Sequence, residues 1–252
     1  MKLIRFLFDG EEQFGAVEND VIRIAEGNMF SDFTVGNQTV PLAQVKILPP
    51  SQPSKIVAVG LNYREHSEEF GETVPEEPKL FLKPPSAVIA HGEAIVRPPQ
   101  SERVDYEAEL ALVIGRRCSK ISAADAEQYI LGYTCANDIT ARDLQRKELQ
   151  WLRSKSFDTF CPLGPWMETK LDPTNLSIKS WVNGELKQNA NTKNMVYNPY
   201  EILSYISRSF TLDAGDIVLT GTPVGSGLLN DGDEVKVEIE GIGSITNYVE
   251  RV

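Results

Sequence analysis

Two glutamates, Glu107 and Glu109, are the residues of this chain whose type and spacing most directly suggest chemistry. They lie in the segment 104–115, where alternate residues form an apolar stripe and the opposite face begins with Asp105 and the two glutamates. Residues two apart in a β-strand leave the same face roughly 6.5–7 Å apart, so both carboxylates can reach one hard divalent cation at about 2.0–2.6 Å. The alternative is a half-exposed strand whose polar face is acidic. We expect the carboxylates at the rim of a buried region, because this face ends apolar.

A third acid, Asp138, lies between a predicted strand at 130–136 and a predicted helix at 140–149. As the N-cap of that helix, its side chain would accept hydrogen bonds from the first turn. As a metal ligand, it would be a further carboxylate presented at a strand end. Arg142 and Gln145 are three residues apart and share one face of the predicted helix. The residues alone leave both interpretations of Asp138 open.

His66 and Glu69 are one helical turn apart in a segment for which Asn62 is a candidate cap. A carboxylate that holds a histidine fixes its tautomer and raises its basicity for general-base work. The alternative is an i, i+3 pair on the surface. The chain has one other histidine, His91, which lies in a turn-like sequence. The acidic, proline-bearing segment 71–78 follows the pair directly and could serve as a lid.

A lysine and a glycine-rich segment complete the candidate set. Lys155 lies in a predicted loop, where it is either solvated or available to bind a substrate carboxylate or an enolate oxygen. The segment 219–227 lacks the Gly-Lys-Ser/Thr of a P-loop and the strand–GxGxxG–helix setting of a dinucleotide site, so we exclude both. A tight turn that exposes backbone N–H groups and an ordinary loop between strands remain as interpretations.

Short strands and turns dominate the elements that must position these residues. Residues 1–46 predict a small β unit, and the proline-rich run 48–54 predicts a linker. We therefore expect a small N-terminal β domain at residues 1–50 and a catalytic domain at 51–252. Further predicted elements are strands at 55–59, 80–83, 88–96 and 176–182, a hairpin turn at Asn183-Gly184, a helix at 121–130 capped by Ser122, a helix at 199–209, and a strand with one wet face at 235–240.

Composition excludes several classes of partner. The chain has 25 basic and 36 acidic residues, a net charge of −11, which disfavours nucleic acid and anionic membrane surfaces. Its widely spaced cysteines, Cys118, Cys135 and Cys161, predict neither a disulfide framework nor a zinc site. No apolar run is long enough for a signal peptide or a membrane helix. We expect a cytoplasmic protein that acts on small molecules.

Five motifs occur in an order that resembles the fumarylacetoacetate hydrolase family. They are Gly60-Leu61-Asn62-Tyr63 with His66 and Glu69, the acidic segment 104–110, the segment 138–143 with Gln145, the segment 155–158, and Thr220-Gly221-Thr222-Pro223. The resemblance covers residues 55–252 and points to the short branch, which holds acylpyruvate hydrolases, oxaloacetate decarboxylases and hydroxyhepta-diene-dioate isomerases. It implies an α+β, mainly β fold: a mixed β-sandwich roll with a small N-terminal β domain, usually assembled as a homodimer.

The resemblance also implies a role for each candidate residue. Implied are Glu107, Glu109 and Asp138 as ligands of Mg²⁺ or Mn²⁺, His66, Glu69 and Lys155 as catalytic groups, and Arg142, Gln145, Gly221 and Thr222 as the lining of the substrate site. The longer branch has an additional acidic ligand before its histidine, whereas residues 55–63 here contain no carboxylate. We therefore expect the cation to keep roughly three of six positions for water and substrate.

Such a site favours chemistry on a small 2-oxo acid, whose enolate a metal ion stabilises. Because the dyad can activate water, we expect hydrolysis of the C–C bond of an acylpyruvate, of the fumarylpyruvate or acetylpyruvate type, to pyruvate and a carboxylic acid. Decarboxylation of oxaloacetate or a related acid and isomerisation of 2-hydroxyhepta-2,4-diene-1,7-dioate are alternatives from the same site. A non-catalytic metal-binding scaffold is an alternative of another class, and it predicts a damaged dyad or ligand set.

Overall fold

β-Strands form most of the regular structure in the computed structural model, which describes residues 1–251. The mainly β class with smaller helical elements, expected from the resemblance, is confirmed. The strands are β1 (Lys2–Phe8), β2 (Glu11–Glu18), β3 (Val21–Gly27), β4 (Phe33–Pro41), β5 (Lys46–Leu48), β6 (Ile56–Gly60), β7 (Lys79–Lys83), β8 (Val88–Ile89), β9 (Ala94–Arg97), β10 (Val104–Tyr106), β11 (Ala108–Ile114), β12 (Ile130–Asn137), β13 (Thr140–Ala141), β14 (Cys161–Glu168), β15 (Ser177–Val182), β16 (Glu185–Asn191), β17 (Ile217–Leu219), β18 (Gly227–Leu228), β19 (Glu234–Ile239) and β20 (Gly243–Arg251).

Helices are few and short. They are α1 (Arg64–Glu69), α2 (Arg142–Lys147), α3 (Leu152–Lys155) and α4 (Pro199–Ser209), with 3₁₀ helices at Leu42–Gln44, Pro85–Ala87, Ala123–Tyr129 and Thr192–Asn194. The helix α4 has the predicted bounds, and Asn198 with Glu201 forms a capping box at its start. Among the described residues, no helix has both the length and the apolar character needed to cross a membrane.

The largest sheet joins the N-terminal strands to strands from later in the chain. Its order is β4-β3-β2-β1-β14-β12-β11-β17-β6-β7, with β5 paired to β1 and β8 to β14. The N-terminal strands join it where Lys2 pairs with Glu168 and Leu3 with Met167. The N-terminal unit therefore packs on the rest of the chain, as its small size predicts. The division into two domains at residue 50 stays a prediction.

Two smaller sheets complete the architecture. One has five strands in the order β16-β15-β19-β20-β9, and the other has three in the order β13-β10-β18. The strand β11 separates two hydrophobic layers: Leu110 and Leu112 pack with Ile178 of the five-stranded sheet, and Ala111 and Val113 pack in the opposite layer. Because both faces of β11 are covered, its position is fixed by packing on each side.

The predicted single strand 104–115 is two strands that belong to different sheets. It breaks at Glu107, whose backbone N–H donates to Oδ1 of Asn137 at 2.8 Å and whose carbonyl accepts from the backbone N–H of Asp138 at 2.9 Å. These bonds to residues on a distant segment replace the regular ladder. Residues 104–114 are buried on both faces, so the interpretation as a half-exposed acidic strand is wrong.

Several other elements differ from the sequence prediction. The expected helix at 121–130 is a 3₁₀ helix, although Ser122 caps it as predicted by accepting from the backbone N–H of Asp125 at 3.2 Å. The expected strand at 88–96 is divided between β8 and β9, which lie in different sheets. The strand β4 was not predicted, because its central residues are polar or glycine and mostly exposed. The turn at Asn183-Gly184 connects β15 to β16 as predicted.

Candidate active site

Three buried carboxylates converge where β11 lies beside β12. Glu107, Glu109 and Asp138 each offer an oxygen, and these oxygens lie within 4.8 Å of one another. The convergence follows from antiparallel pairing, in which Ala108 lies opposite Asn137. That register places the residue after β12 beside the two glutamates that flank Ala108.

Basic side chains compensate two of the three acids. Lys155 Nζ donates to Oε2 of Glu107 at 2.7 Å and to Oδ2 of Asp138 at 2.5 Å, and Lys83 Nζ donates to Oδ1 of Asp138 at 2.6 Å. Arg142 donates to Oε1 of Glu107. Burial opposes ionisation of Glu107, but the charges of Lys155 and Arg142 outweigh it and lower its pKa. Glu107 is therefore ionised at neutral pH.

Glu109 has no such compensation. It accepts one hydrogen bond, from the backbone N–H of Gly221 at 2.7 Å, and within residues 1–251 no basic side chain lies within 4.0 Å of it. Burial, together with the negative charge of Asp138, raises the pKa of Glu109 well above its usual value. An ionised Glu109 in this position needs a further positive charge close by.

The donor set therefore fits a divalent cation. All three candidate ligands supply carboxylate oxygens, which hard ions such as Mg²⁺ and Mn²⁺ prefer. The hydroxyl of Tyr63 is a second observation: it is buried, it has no hydrogen-bond partner among the described residues, and the charge of Glu109 adds to burial in raising its pKa. The site thus holds both an uncompensated acid and an unpartnered hydroxyl.

Charge counting gives the same result. When Glu109 is ionised, the buried acids Asp105, Glu107, Glu109 and Asp138 outnumber the buried bases Lys83, Arg142 and Lys155 by one. A divalent cation would turn this excess of negative charge into an excess of positive charge. The site could then attract an anionic ligand, although the whole chain carries a net charge of −11.

His66 and Glu69 form a hydrogen-bonded pair on the wall of the cavity that contains the carboxylates. Nδ1 of His66 lies 3.3 Å from Oε2 of Glu69, and because an ionised carboxylate only accepts, Nδ1 carries the proton. His66 is buried, at 5% exposed, whereas Glu69 reaches the surface, so the pair connects the cavity wall to solvent. Burial lowers the pKa of His66, so its imidazole is neutral at pH 7. This leaves Nε2 with a lone pair that can take up a proton.

One cavity of about 730 Å³ brings nine of the ten candidate residues together. Its wall contains His66, Glu69, Glu107, Glu109, Asp138, Arg142, Gln145, Lys155 and Thr222. Gly221 does not lie on this wall, because its backbone N–H is directed to Glu109. It therefore supports a candidate ligand and does not face the substrate space. Thr222 is held through its Oγ1, which accepts from Nε2 of Gln188 at 2.8 Å.

Three alternatives left open by the sequence are wrong. Asp138 is not a helix N-cap, because α2 begins after Ala141 and both carboxylate oxygens of Asp138 bind lysines. Lys155 is not a solvated loop residue, because it ends α3 and is 2% exposed. Asn62 does not cap α1, which begins after Tyr63; its side-chain amide donates to the carbonyls of Tyr197 and Thr220 instead.

Sequence reasoning missed two charged residues that hold the site. Asp105 accepts from Nε of Arg142 at 2.9 Å and from Nε of Arg103 at 3.0 Å, and Lys83 binds Asp138. Each lies in an otherwise apolar strand segment, which is the signal that could have identified it. Arg142 also donates to Oε1 of Gln145 at 2.5 Å, so its guanidinium is engaged on every side.

The segment 71–78 follows the dyad and contacts residues just before α4 and within α4. The hydroxyl of Tyr197 donates to the carbonyl of Pro75 at 3.0 Å, and the hydroxyl of Tyr205 donates to Glu77 at 3.1 Å. Glu72 of the same segment lines the cavity. A lid function for this segment stays a prediction.

Comparison with known proteins gives a consistent result along the whole chain. Residues 55–250 match the family "Fumarylacetoacetate (FAA) hydrolase C-terminal", and residues 1–50 match "Rv2993c-like, N-terminal". The mitochondrial oxaloacetate tautomerase FAHD2B of Bos taurus is 47% identical over 223 residues, which are 83% of this chain and 71% of the bovine protein.

Two solved structures are similar over their whole length. The 2-hydroxyhepta-2,4-diene-1,7-dioate isomerase from Mycobacterium marinum has a TM-score of 0.93 at 41% identity, with 100% of this chain and 98% of that chain covered. The 5-carboxymethyl-2-hydroxymuconate delta-isomerase from Mycobacterium smegmatis has a TM-score of 0.94 at 41% identity, with both chains fully covered.

Proposed function

The chain belongs to the fumarylacetoacetate hydrolase family, and from that membership we propose that it catalyses a proton shift in a 2-oxo dicarboxylic acid, as in the interconversion of the keto and enol forms of oxaloacetate. The observation that carries this proposal is the neutral, buried His66, held by Glu69 at 3.3 Å on the wall of the cavity that contains the three carboxylates. A base of this kind, next to an acidic cluster suited to a cation, fits removal of a proton beside a carbonyl.

The side chains of the cavity have separate tasks. Glu107, Glu109 and Asp138 would hold Mg²⁺ or Mn²⁺, which supplies positive charge that makes the C3 proton of a bound 2-oxo acid more acidic. His66 accepts the C3 proton at Nε2 and returns it to the C2 oxygen of the substrate. Glu69 stabilises the imidazolium formed in between through Nδ1. Burial alone would lower the pKa of Lys155, but the charges of Asp138 and Glu107 outweigh burial and raise it. Lys155 therefore keeps its positive charge beside these carboxylates.

The rim of the cavity supports a substrate with a second carboxylate. Arg146 lies one turn after Arg142 in α2 and lines the cavity. Among the described residues no carboxylate lies within 4.0 Å of its guanidinium, whereas Arg142 and Lys155 are both paired. Arg146 is therefore a basic group of this wall that remains available to an anion, as is Lys79, whose Nζ lies over the ring of Trp151. Gln145, whose Oε1 is used by Arg142, offers its NH₂ group beside it.

The relatives of higher identity favour a proton shift, since the tautomerase is 47% and the two isomerases are 41% identical, whereas a fumarylacetoacetate hydrolase and a maleylpyruvate hydrolase of known structure are 34% and 31% identical. A tautomerase and two isomerases carry out rearrangements in which no carbon–carbon bond is broken. Hydrolysis of an acylpyruvate is the second candidate, because the same dyad can activate water and a cavity of about 730 Å³ has room for one beside a small acid. The scaffold alternative predicts a damaged dyad or ligand set, and the geometry of both is intact.

The test uses the Mn²⁺-loaded or Mg²⁺-loaded protein. The decay of enol-oxaloacetate absorbance is followed for the parent and for His66→Gln, with acetylpyruvate hydrolysis and oxaloacetate decarboxylation followed in parallel by pyruvate release. We expect the parent to accelerate ketonisation and His66→Gln to lose about 10²–10⁴-fold. His91→Gln is the matched control, since His91 lies outside the cavity and accepts from the backbone N–H of Thr246 at 3.1 Å. Pyruvate release without accelerated ketonisation would replace this proposal by hydrolysis or decarboxylation.

A further inference from the structure

Four buried side-chain polar atoms lack a hydrogen-bond partner within residues 1–251: Oε1 of Gln13, the hydroxyl of Tyr63, Nε of Arg97 and Oγ of Ser226. A buried polar group without a partner costs about 1–3 kcal/mol, so each such atom calls for an explanation. Ser226 is the one of these four residues that lines the large cavity. Its hydroxyl is therefore the candidate for a role in binding a ligand.

The register of the small sheet places Ser226 between the dyad and the carboxylates. In the antiparallel pair of β10 and β18, Asp105 lies opposite Leu228 and Tyr106 opposite Gly227. Continuing this register by one residue puts Ser226 opposite Glu107. On the other side, the backbone N–H of Gly225 donates to Oε2 of Glu69 at 3.3 Å.

The neighbouring groups are already engaged. The two oxygens of Glu107 accept from Arg142 and Lys155. The hydroxyl of Tyr106 donates to the carbonyl of Gly225 at 2.9 Å. Oγ1 of Thr222 accepts from Gln188. Each of these neighbours has a partner of its own, and among the described residues the hydroxyl of Ser226 pairs with none of them.

The loop that carries Ser226 is held firmly by its backbone. Gly225 has a φ of +96°, and a Cβ added there would lie 2.5 Å from the carbonyl oxygen of Lys187. The backbone thus packs closely against β16 at Gly225, while a serine side chain has three staggered positions. Rotation about χ1 is the motion by which the buried hydroxyl would meet a ligand in the cavity that the residue lines.

We propose that Ser226 contacts the substrate and that its hydroxyl donates a hydrogen bond to a carboxylate oxygen of the 2-oxo acid, between the dyad and Glu107. The proposal rests on the proposed function for the identity of the acid. An uncharged donor at this point orients the substrate without adding to the charge of the site. The bound acid also satisfies a hydroxyl that the protein leaves unpartnered.

The variants Ser226→Ala and Ser226→Thr test this role with the Mn²⁺-loaded protein. Loss of one hydrogen bond to the charged carboxylate raises the KM for enol-oxaloacetate about 10–100-fold and changes kcat by less than about 2-fold. Ser226→Thr, which keeps the hydroxyl, restores KM to within about 3-fold of the parent. Ser244→Ala, at a partly buried serine of β20 outside the cavity, leaves both constants unchanged. A KM for Ser226→Ala within 2-fold of the parent overturns the proposal.

Binding of oxalate to the same Mn²⁺-loaded variants, measured by calorimetry, separates this proposal from the proposed function. Weaker oxalate binding by Ser226→Ala, with recovery in Ser226→Thr, supports the contact even where the parent fails to tautomerise oxaloacetate; that failure overturns the proposed function alone. Equal oxalate affinity in parent and Ser226→Ala overturns the contact. The melting temperature of Ser226→Ala is not expected to fall, since the substitution removes an unpartnered polar atom.

Discussion

Lys83 and Asp138 form an ion pair of 2.6 Å in which neither side chain is exposed to solvent. The same Nζ also donates to the backbone carbonyl of Lys155 and lies 3.4 Å from that of Ile139. One lysine at the end of β7 thus fixes a candidate metal ligand and the end of α3 together. A charge buried in this way stabilises only as long as its partners remain.

Lys83→Met is therefore expected to destabilise the protein by about 3–5 kcal/mol, because it leaves Asp138 with one lysine in a buried position. Urea unfolding of the metal-free protein measures the change. Lys79→Met is the control on the same strand: Lys79 is exposed, its Nζ lies over the ring of Trp151, and the loss should stay near or below about 1 kcal/mol. Equal losses in the two variants would contradict the role given to Lys83.

Glu109→Gln should weaken Mn²⁺ binding by more than about 100-fold, since a ligand contributes more than the outer-shell groups whose loss costs 10–100-fold. The metal-free protein should lose no stability, because burial and the charge of Asp138 raise the pKa of Glu109 and already favour its neutral form. Calorimetry with Mn²⁺ and urea unfolding check the two statements, with exposed Glu102→Gln as control.

The sign of the pH effect at Glu109 follows from the same shift. A carboxyl whose pKa is higher in the folded than in the unfolded state binds more protons when folded, so it destabilises the metal-free protein as pH rises above its unfolded value of about 4.3. The parent should lose stability relative to Glu109→Gln as pH rises from about 4.3 toward neutrality. If the free energy of unfolding changes equally with pH in the parent and in Glu109→Gln over this range, the pKa of Glu109 is not raised.

The acid limb of kcat/KM should lie below about pH 6.5, because burial lowers the pKa of His66 and the neutral imidazole is the active base. The charge of Glu69 opposes this shift and raises the pKa. Glu69→Gln should therefore move the limb to still lower pH while reducing kcat. Exposed Glu68→Gln should leave the profile in place. A limb that moves to higher pH in Glu69→Gln would show that another group titrates.

Asp216→Ala should cost about 3 kcal/mol, because partly buried donors of Ser54 and Lys55 lose their buried acceptor. Oδ1 of Asp216 accepts from the backbone N–H groups of Ser54 and Lys55 at 3.0 and 3.1 Å, and Oδ2 accepts from Lys55 Nζ at 2.5 Å. Although burial opposes ionisation, these bonds lower the pKa of Asp216. Its contribution is present above about pH 4 and is lost as pH falls further. Urea unfolding at pH 7 and pH 3.5 tests this, with half-exposed Asp213→Ala as control.

Gly60→Ala should displace the indole of Trp151, because a Cβ at residue 60 would lie 2.3 Å from a ring carbon. Trp151 lines the cavity and packs edge-on to Phe81, with ring centroids 5.6 Å apart. Tryptophan fluorescence should shift and KM should rise. In a Trp151→Ala background the same substitution should cost little, and a double-mutant cycle with purely additive effects would contradict the clash.

Local patterns were sufficient to locate the carboxylates but insufficient to define their environment. Alternation around Glu107 and Glu109 identified a strand, because side-chain direction in a strand depends on neighbouring residues alone. The break at Glu107 depends on the side chain of Asn137, and no local pattern encodes that contact. The burial of Lys155 was missed for a similar reason: its own segment is polar, and the acids that draw it inward come from distant parts of the chain.

The order of the motifs was sufficient to identify the family and to choose residues that lie together in one cavity. Nine of the ten residues chosen from the sequence lie on one cavity wall, and the backbone N–H of the tenth, Gly221, donates to Glu109, a direction that the sequence does not show. The roles of these residues stay predictions. The residues that it missed, Lys83 and Asp105, are tied to the site by contacts that a short window does not reveal, although Asp105 also pairs with nearby Arg103. Their partners Asp138 and Arg142 are 55 and 37 positions away.

Because of the break at Glu107, the chain passes at this residue from one sheet to another. β10 belongs to the three-stranded sheet, together with β18 and the loop of Ser226, whereas β11 and Glu109 belong to the large sheet. An ion held by both Glu107 and Glu109 would therefore connect the three-stranded sheet to the large sheet. Binding of the cation would then restrict motion of the wall that carries Arg142, and loss of the cation would restore that motion.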